Sequence, residues 1–425
     1  MGIRRTRDPH HPLRLALPRP ASGRRATPAV AVLAAIALTL AACSSGHARS
    51  ASPGAAPSTG SSGSGSSPSS GSVPASGAGG PAGGPAGGPV PAGFDAVSYT
   101  AVSATEFWLL GTAPCSNPEC TSIVRTTDGG AHFVGIPAPP VPLAYGAPAG
   151  TSGAVTELRF ADPLDGYAFD PGAGPGHETF WVTHDGGAHW HAVPLGGEVL
   201  AFAASGGEAY AVLATCTQSG CSDARIARSP ASTDAWTSTA LPQASGAVQA
   251  SLSARGRQVW IDAEPGGAAG GVLLDSTDGG ATFTVRSSPC VAGLGGTVQA
   301  TSEQVLWFAC PTGMMAQAYR STDGGATTTA LQTGQIVNSS RLAAADDTTA
   351  VLASGSDPTL RRTADGGATF APVLTPPDSV GWLYLGFTSS TVGAGLSVAT
   401  GSARVPATTL WRSTDGGVTW RRVPV

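Results

Sequence analysis

From Phe94 onward the chain is written in short apolar stretches broken by turn formers. The clearest passage runs VTELRFAD (155–162), PLDG (163–166), YAFD (167–170), TFWVTHD (179–185) and HWHAVPL (189–195). Alternation over four to eight residues, bounded by Gly, Pro and Asp, predicts β-strands. Gaps this short predict antiparallel neighbours. The passage therefore reads as four successive strands of one sheet, the first innermost and the last outermost.

Upstream the pattern changes twice. Residues 29–42 (AVAVLAAIALTLAA) are a continuous apolar run behind an Arg-rich start. The run is short of the roughly 20 residues a membrane-spanning helix needs. A basic region, a short apolar region and small residues at its end predict a signal peptide over 1–42. Leu40-Ala41-Ala42-Cys43 resembles the lipobox of bacterial lipoproteins, which implies Cys43 as the lipidated first residue of the mature chain. Residues 43–92 hold almost no apolar bulk, only a Ser/Gly/Pro/Ala tract. Such a segment cannot offset the entropy of ordering, so a disordered tether is expected. Its r.m.s. span would be roughly 40 Å.

The remainder, 93–425, repeats one short pattern. Ser/Thr-x-Asp-Gly-Gly appears with Asp128, Asp185, Asp278, Asp323, Asp365 and Asp415, and a residue three past the second Gly is usually aromatic. A seventh copy is degraded: Ser229 and Trp236 hold the ends, but Ala231 stands where Asp belongs. The last position falls at 133, 190, 236, 283, 328, 370 and 420. Spacing of this kind with strand-like flanks is the signature of a propeller, one four-stranded blade per repeat. The pattern predicts an all-β, seven-bladed propeller. Physically, the glycines supply the positive φ of a tight turn, and the Asp carboxylate closes it through local hydrogen bonds. The motif resembles the Asp-box, or bacterial neuraminidase repeat, family. Sialidases, xyloglucanases, the sortilin ectodomain and photosystem II assembly factors share it. The resemblance implies the fold over about 94–425 and leaves activity open, because those proteins do unrelated things.

Charge narrows the partners. Residues 93–425 carry 15 Arg against 26 Asp and Glu, and the chain has no lysine. An acidic domain of this kind argues against nucleic acid and against docking on anionic lipid. Six cysteines remain after Cys43. In an exported chain they predict the hairpin staples Cys115–Cys120 and Cys216–Cys221 and a bridge Cys290–Cys310 between neighbouring repeats.

Candidate chemistry is sparse. The Arg-Ile-Pro motif of sialidases is missing, and Arg125, Arg228, Arg320, Arg362 and Arg412 directly precede the repeat Ser/Thr, as framework positions on third strands. Among acids outside the repeats are Glu157, Asp162, Asp165, Asp262, Glu264 and Asp346, and most are expected in turns. Glu157, Arg159, Gln299 and Arg341 are placed on inner strands, where a ligand in the channel could meet them. His177, His184, His189 and His191 cluster in one repeat, half of a metal site at most; no metal and no cofactor are expected. Asn338-Ser339-Ser340 forms a sequon of little meaning in a bacterial lipoprotein. The reading is a non-catalytic, lipid-anchored, monomeric binding or scaffolding propeller on the outer face of the cytoplasmic membrane. Its partner would be an envelope protein or a glycan. The alternative is an extracellular glycoside hydrolase or lectin.

Overall fold

The computed structural model describes residues 84–425, apart from 115–119, 146–152, 175, 266–269, 292, 335, 338–340, 356 and 401–406. Cys43, Cys115 and the Asn338 sequon thus lie outside the described residues, as do the expected signal peptide and most of the tether.

The described chain is all β, arranged as the expected seven antiparallel blades. Blade 1 is Asp95–Ala101, Phe107–Ala113, Cys120–Thr126 and Val134–Ile136; blade 2 is Glu157–Phe160, Gly166–Phe169, Phe180–Thr183 and His191–Ala192. Blade 3 runs through Glu198–Ser205, Glu208–Thr217, Gly220–Pro230 and Thr237–Ala240, and blade 4 through Ala247–Arg255, Gln258–Pro265, Val272–Ser276 and Thr284–Ser287. Blade 5 (Thr297–Ala300, Leu306–Pro311, Met315–Ser321, Thr329–Ala330) gains a fifth strand, Ile336–Val337, on its third. Blade 6 holds Arg341–Ala344, Ala350–Ser354, Asp357–Thr363 and Ala371–Leu374; blade 7 holds Ser379–Phe387, Gly393–Ala399, Thr408–Ser413 and Arg421–Val423. Residues 84–92, which composition assigns to the tether, reach blade 1: Gly88 and Gly135 exchange backbone hydrogen bonds of 2.8 and 2.9 Å.

The repeated pattern is a turn clamped by its own side chains and amides. In each intact copy the Ser/Thr hydroxyl donates to the Asp carboxylate at 2.7–2.8 Å and accepts from the second Gly amide at 2.8–3.0 Å. The first Gly amide donates at 2.8–2.9 Å to a carbonyl in the turn between the blade's first two strands, as Gly129 does to Thr105. These turns therefore share one face of the ring. The second Gly has no room for a side chain: a Cβ on Gly417 (φ +82°) would lie 2.7 Å from Val351 of the preceding blade.

The core lies between blades. Trp108 of blade 1 stacks on Phe160 of blade 2 at 4.0 Å. Inner strands have one unpaired edge, and polar side chains of the preceding blade satisfy its amides. Ser98 and Thr100 accept from Leu158 and Phe160, and Ser251 and Ser253 from Val298 and Ala300. An orphan buried amide is costly, so these small polar residues belong to the architecture. Among the described residues, no strand of blade 7 pairs with one of blade 1.

Candidate functional site

The four channel residues from the sequence lie on inner strands, each already engaged within the protein. Glu157 pairs with Arg159 at 2.8 Å and accepts from Ser98 at 3.0 Å. Gln299 bridges blades 5 and 6, its amide donating to the Leu342 carbonyl at 2.6 Å and its oxygen accepting from Ala344 at 2.9 Å. The exposed Arg341 reaches the Leu383 carbonyl at 3.4 Å. The third-strand arginines sit away from this wall, as expected; Arg125 pairs with Glu106 of its own blade, and the others bind the next blade. Arg228 faces Gly279, Arg362 donates to Gly416 at 2.7 Å, and Arg412 to Gly129 at 2.8 Å.

Two cavities open at the ends of the inner strands. On the face carrying the clamped turns, about 590 Å³ is enclosed by blades 4 to 7, with Arg255, Thr301, Ser302, Asp346, Asp347 and Ser389 on its wall. Asp346 is spent on its own turn, accepting from the amides of Thr348 and Thr349, and Asp347 accepts from Thr301 at 2.7 Å. Arg255 is exposed and has no polar partner among the described residues. On the opposite face, about 400 Å³ is lined by Gly172, Leu200, Gln249 and Gly296.

Behind Gly296 lies a feature that sequence reasoning misplaced. Asp262 and Glu264 are not in turns. They occupy alternate positions of the second strand of blade 4, on the side facing blade 5, and are 1% and 0% exposed. Among the described residues their four carboxylate oxygens make no close hydrogen bond, with the Ser288 side chain near Asp262 and the Gly293 backbone near Glu264. Burial pushes Asp262 up to about 6, and burial with the neighbouring Asp262 charge pushes Glu264 up to about 7. A Cβ on Gly296 would come within 2.9 Å of Asp262 Oδ2, and the Cys290–Cys310 disulfide closes the same seam. The expected Cys216–Cys221 staple is also formed, and Cys120 is disulfide-bonded.

The histidine cluster gains partners that no local pattern announced. His184 Nδ1 lies 2.6 Å from Asp165, and His191 Nε2 lies 2.8 Å from Asp234. His184 Nε2 faces the same Asp234 oxygen at 3.6 Å and has no hydrogen-bond partner among the described residues. His184, His191 and Asp234 thus offer three ligand atoms within 4.8 Å of one another. His177 and His189 lie elsewhere, on Asp170 and Asp185 respectively.

Comparison with known proteins confirms the architecture. No family model and no curated protein matches the chain. Solved structures do. YCF48 bound to D1 peptide is 16% identical, with 77% of this chain and 95% of that one covered and a TM-score of 0.50. YCF48 from Cyanidioschyzon merolae is 15% identical over 76% and 97%, with the same TM-score. A puromycin-hydrolyzing peptidase from Mycobacterium tuberculosis is 14% identical over 79% of this chain and 56% of its own, at 0.52. The fold is a β-propeller. At these identities the likeness is one of fold.

Proposed function

We propose that the protein is an exported binding propeller, lipid-tethered through Cys43, that holds a segment of another envelope protein at one mouth of its channel without turning it over. The observation that carries this reading is Arg255. It is an exposed cation without a polar partner among the described residues, on the wall of a cavity of about 590 Å³ whose carboxylates are already committed. A guanidinium in that position favours a carboxylate, from an acidic side chain or a chain terminus. The peptide-bound state of YCF48, a propeller of the same fold, supports a protein ligand.

The acids argue against hydrolysis. A glycosidase places its two carboxyl groups about 5–9 Å apart on either side of the bond to be cleaved. The two carboxyls with the highest affinity for protons among the described residues share one strand and one side, sealed in a seam.

The test is peptide selection on the full-length protein, followed by titration of the selected peptides against Arg255→Glu. Acidic or carboxylate-ending peptides are expected, with binding weakened at least tenfold in the variant. Turnover of a polysaccharide or peptide panel that disappears in Asp262→Asn would overturn the reading in favour of an enzyme. Alkyne-palmitate labelling, lost in Cys43→Ser with release from membranes, tests the anchor. A monomer by sedimentation completes the picture.

A further inference from the structure

We propose that the seam between blades 2 and 3 binds one divalent transition-metal ion of the zinc class through His184 Nε2, His191 Nε2 and Asp234.

The seam departs from the rest of the ring. Arg125, Arg228, Arg320, Arg362 and Arg412 occupy the position before the repeat Ser/Thr, but blade 2 has Val182 there and blade 4 has Asp275. Blade 3 in turn carries the degraded repeat. The Ala231 amide still donates to the Gly207 carbonyl at 2.8 Å, preserving the turn's attachment to its own blade. With no aspartate at that position, the Ser229 hydroxyl turns to the Thr233 carbonyl at 2.7 Å. The turn remains, and it carries Asp234 to the histidines of blade 2.

On the blade 2 side, local structure brings the two imidazoles together. His184 follows the third strand and His191 starts the fourth, where it pairs with Val182. Their rings lie 5.9 Å apart. Asp165, buried in the turn between the first two strands, accepts from His184 Nδ1. With Nδ1 engaged by Asp165, Nε2 is the ring atom that faces Asp234. A carboxylate behind a histidine is the usual support of a metal ligand. A cation placed between Nε2 and the Asp234 oxygen, which stand 3.6 Å apart, would bond to both.

Two imidazoles and one carboxylate suit zinc and its neighbours, and disfavour calcium and magnesium, which prefer all-oxygen shells. Ligand atoms around tetrahedral zinc stand roughly 3.3 Å apart, as follows from bonds of about 2.0–2.1 Å. The 3.6 Å separation fits, and the 2.8 Å His191–Asp234 contact opens by about half an ångström on entry. His191 and Asp234 are exposed, so the remaining coordination position faces solvent.

The experiment uses full-length protein without an affinity histidine tag, stripped with chelator and titrated with zinc chloride in a calorimeter. Metal content and melting temperature are measured in parallel. One equivalent is expected, with a rise in melting temperature. His191→Ala and Asp234→Asn should each weaken binding at least tenfold, and Asp165→Asn should weaken it by 10-fold to 100-fold through loss of the supporting carboxylate. His189→Ala, outside the cluster, should bind as the parent does. The changed ligands are exposed, so circular dichroism should show the variants folded. Absence of stoichiometric binding, or binding that survives both His191→Ala and Asp234→Asn, would overturn the assignment.

Discussion

The Arg412 guanidinium donates to the Gly129 carbonyl at 2.8 Å, joining blade 7 to blade 1 across 283 positions of sequence. The same side chain donates to the Ala104 carbonyl at 2.7 Å and lies 4.6 Å from the centre of the Phe107 ring. Thr408 adds a 2.8 Å bond to the Ala96 carbonyl. Among the described residues no strand is shared between these blades, and side chains join them.

Replacing Arg412 should therefore cost more than replacing its counterpart Arg228. Arg412→Ala leaves two carbonyls in a closed seam without donors and should lose about 3 kcal/mol. Arg228 makes only longer contacts, 3.3 and 3.4 Å, and is a third exposed. Arg228→Ala should lose under about 1 kcal/mol. Urea unfolding of both variants measures the difference.

The buried acids predict an unusual pH profile. A carboxyl whose folded value is raised holds its proton in the native state after the unfolded chain has released it, so stability falls as pH rises between the two values. For Asp262 that window runs from 3.8 to about 6, and for Glu264 from 4.5 to about 7. Asp323 and Asp365 behave oppositely: hydrogen bonds from Thr327 and Thr369 hold them down at about 2, so their contribution is full above 3.8 and lost toward pH 2. Stability should peak near pH 4 and decline by roughly 6 kcal/mol by pH 8. Asp262→Asn with Glu264→Gln should flatten the decline and raise the melting temperature at neutral pH. Thermal melts across pH 3–8 check this.

Two of the disulfides should separate by loop size. Cys290–Cys310 spans 20 positions and Cys216–Cys221 spans 5. Loop entropy gives roughly 3 and 2 kcal/mol respectively. Replacing Cys290 and Cys310 by Ala should also admit water to Asp262 and lower its proton affinity, a second effect visible in the pH profile.

Gly417→Ala tests the clamped turns. The substitution meets both a positive φ and a 2.7 Å approach to Val351, and should cost about 2 kcal/mol or more. Gly334→Ala, at φ +69° with open space around its Cβ, should cost less, since only the backbone strain remains. Chemical denaturation of the pair separates conformational strain from packing.

Blade number was legible because the clamped turn needs the same four residue types wherever it occurs, so its period survives divergence elsewhere. The turn also showed which acids are local: Asp128 and its equivalents accept from amides a few positions away. Asp262 and Glu264 escaped for the opposite reason. Polar residues alternating with Ile261 and Ala263 look like a solvent-facing edge, and only the neighbouring blade shows that their side is closed. Asp234 was hidden by degeneracy, since its partners lie 43 and 50 positions away in the previous blade. Gln299 could be assigned to the channel strand, but its use as a bridge depends on the adjacent strand's register.

A ring latched by side chains has a timing problem that a ring with a shared strand distributes differently. The flank of blade 1 that receives Arg412 includes Tyr99, Phe107 and Leu109, all packed against blade 7. During synthesis that flank is complete more than 280 residues before its cover exists. Until blade 7 arrives, the nascent protein presents an aromatic surface to whatever is nearby, and a second unfinished copy is an available partner. Crowding during production therefore threatens this molecule more through its first blade than through any seam formed between consecutive neighbours.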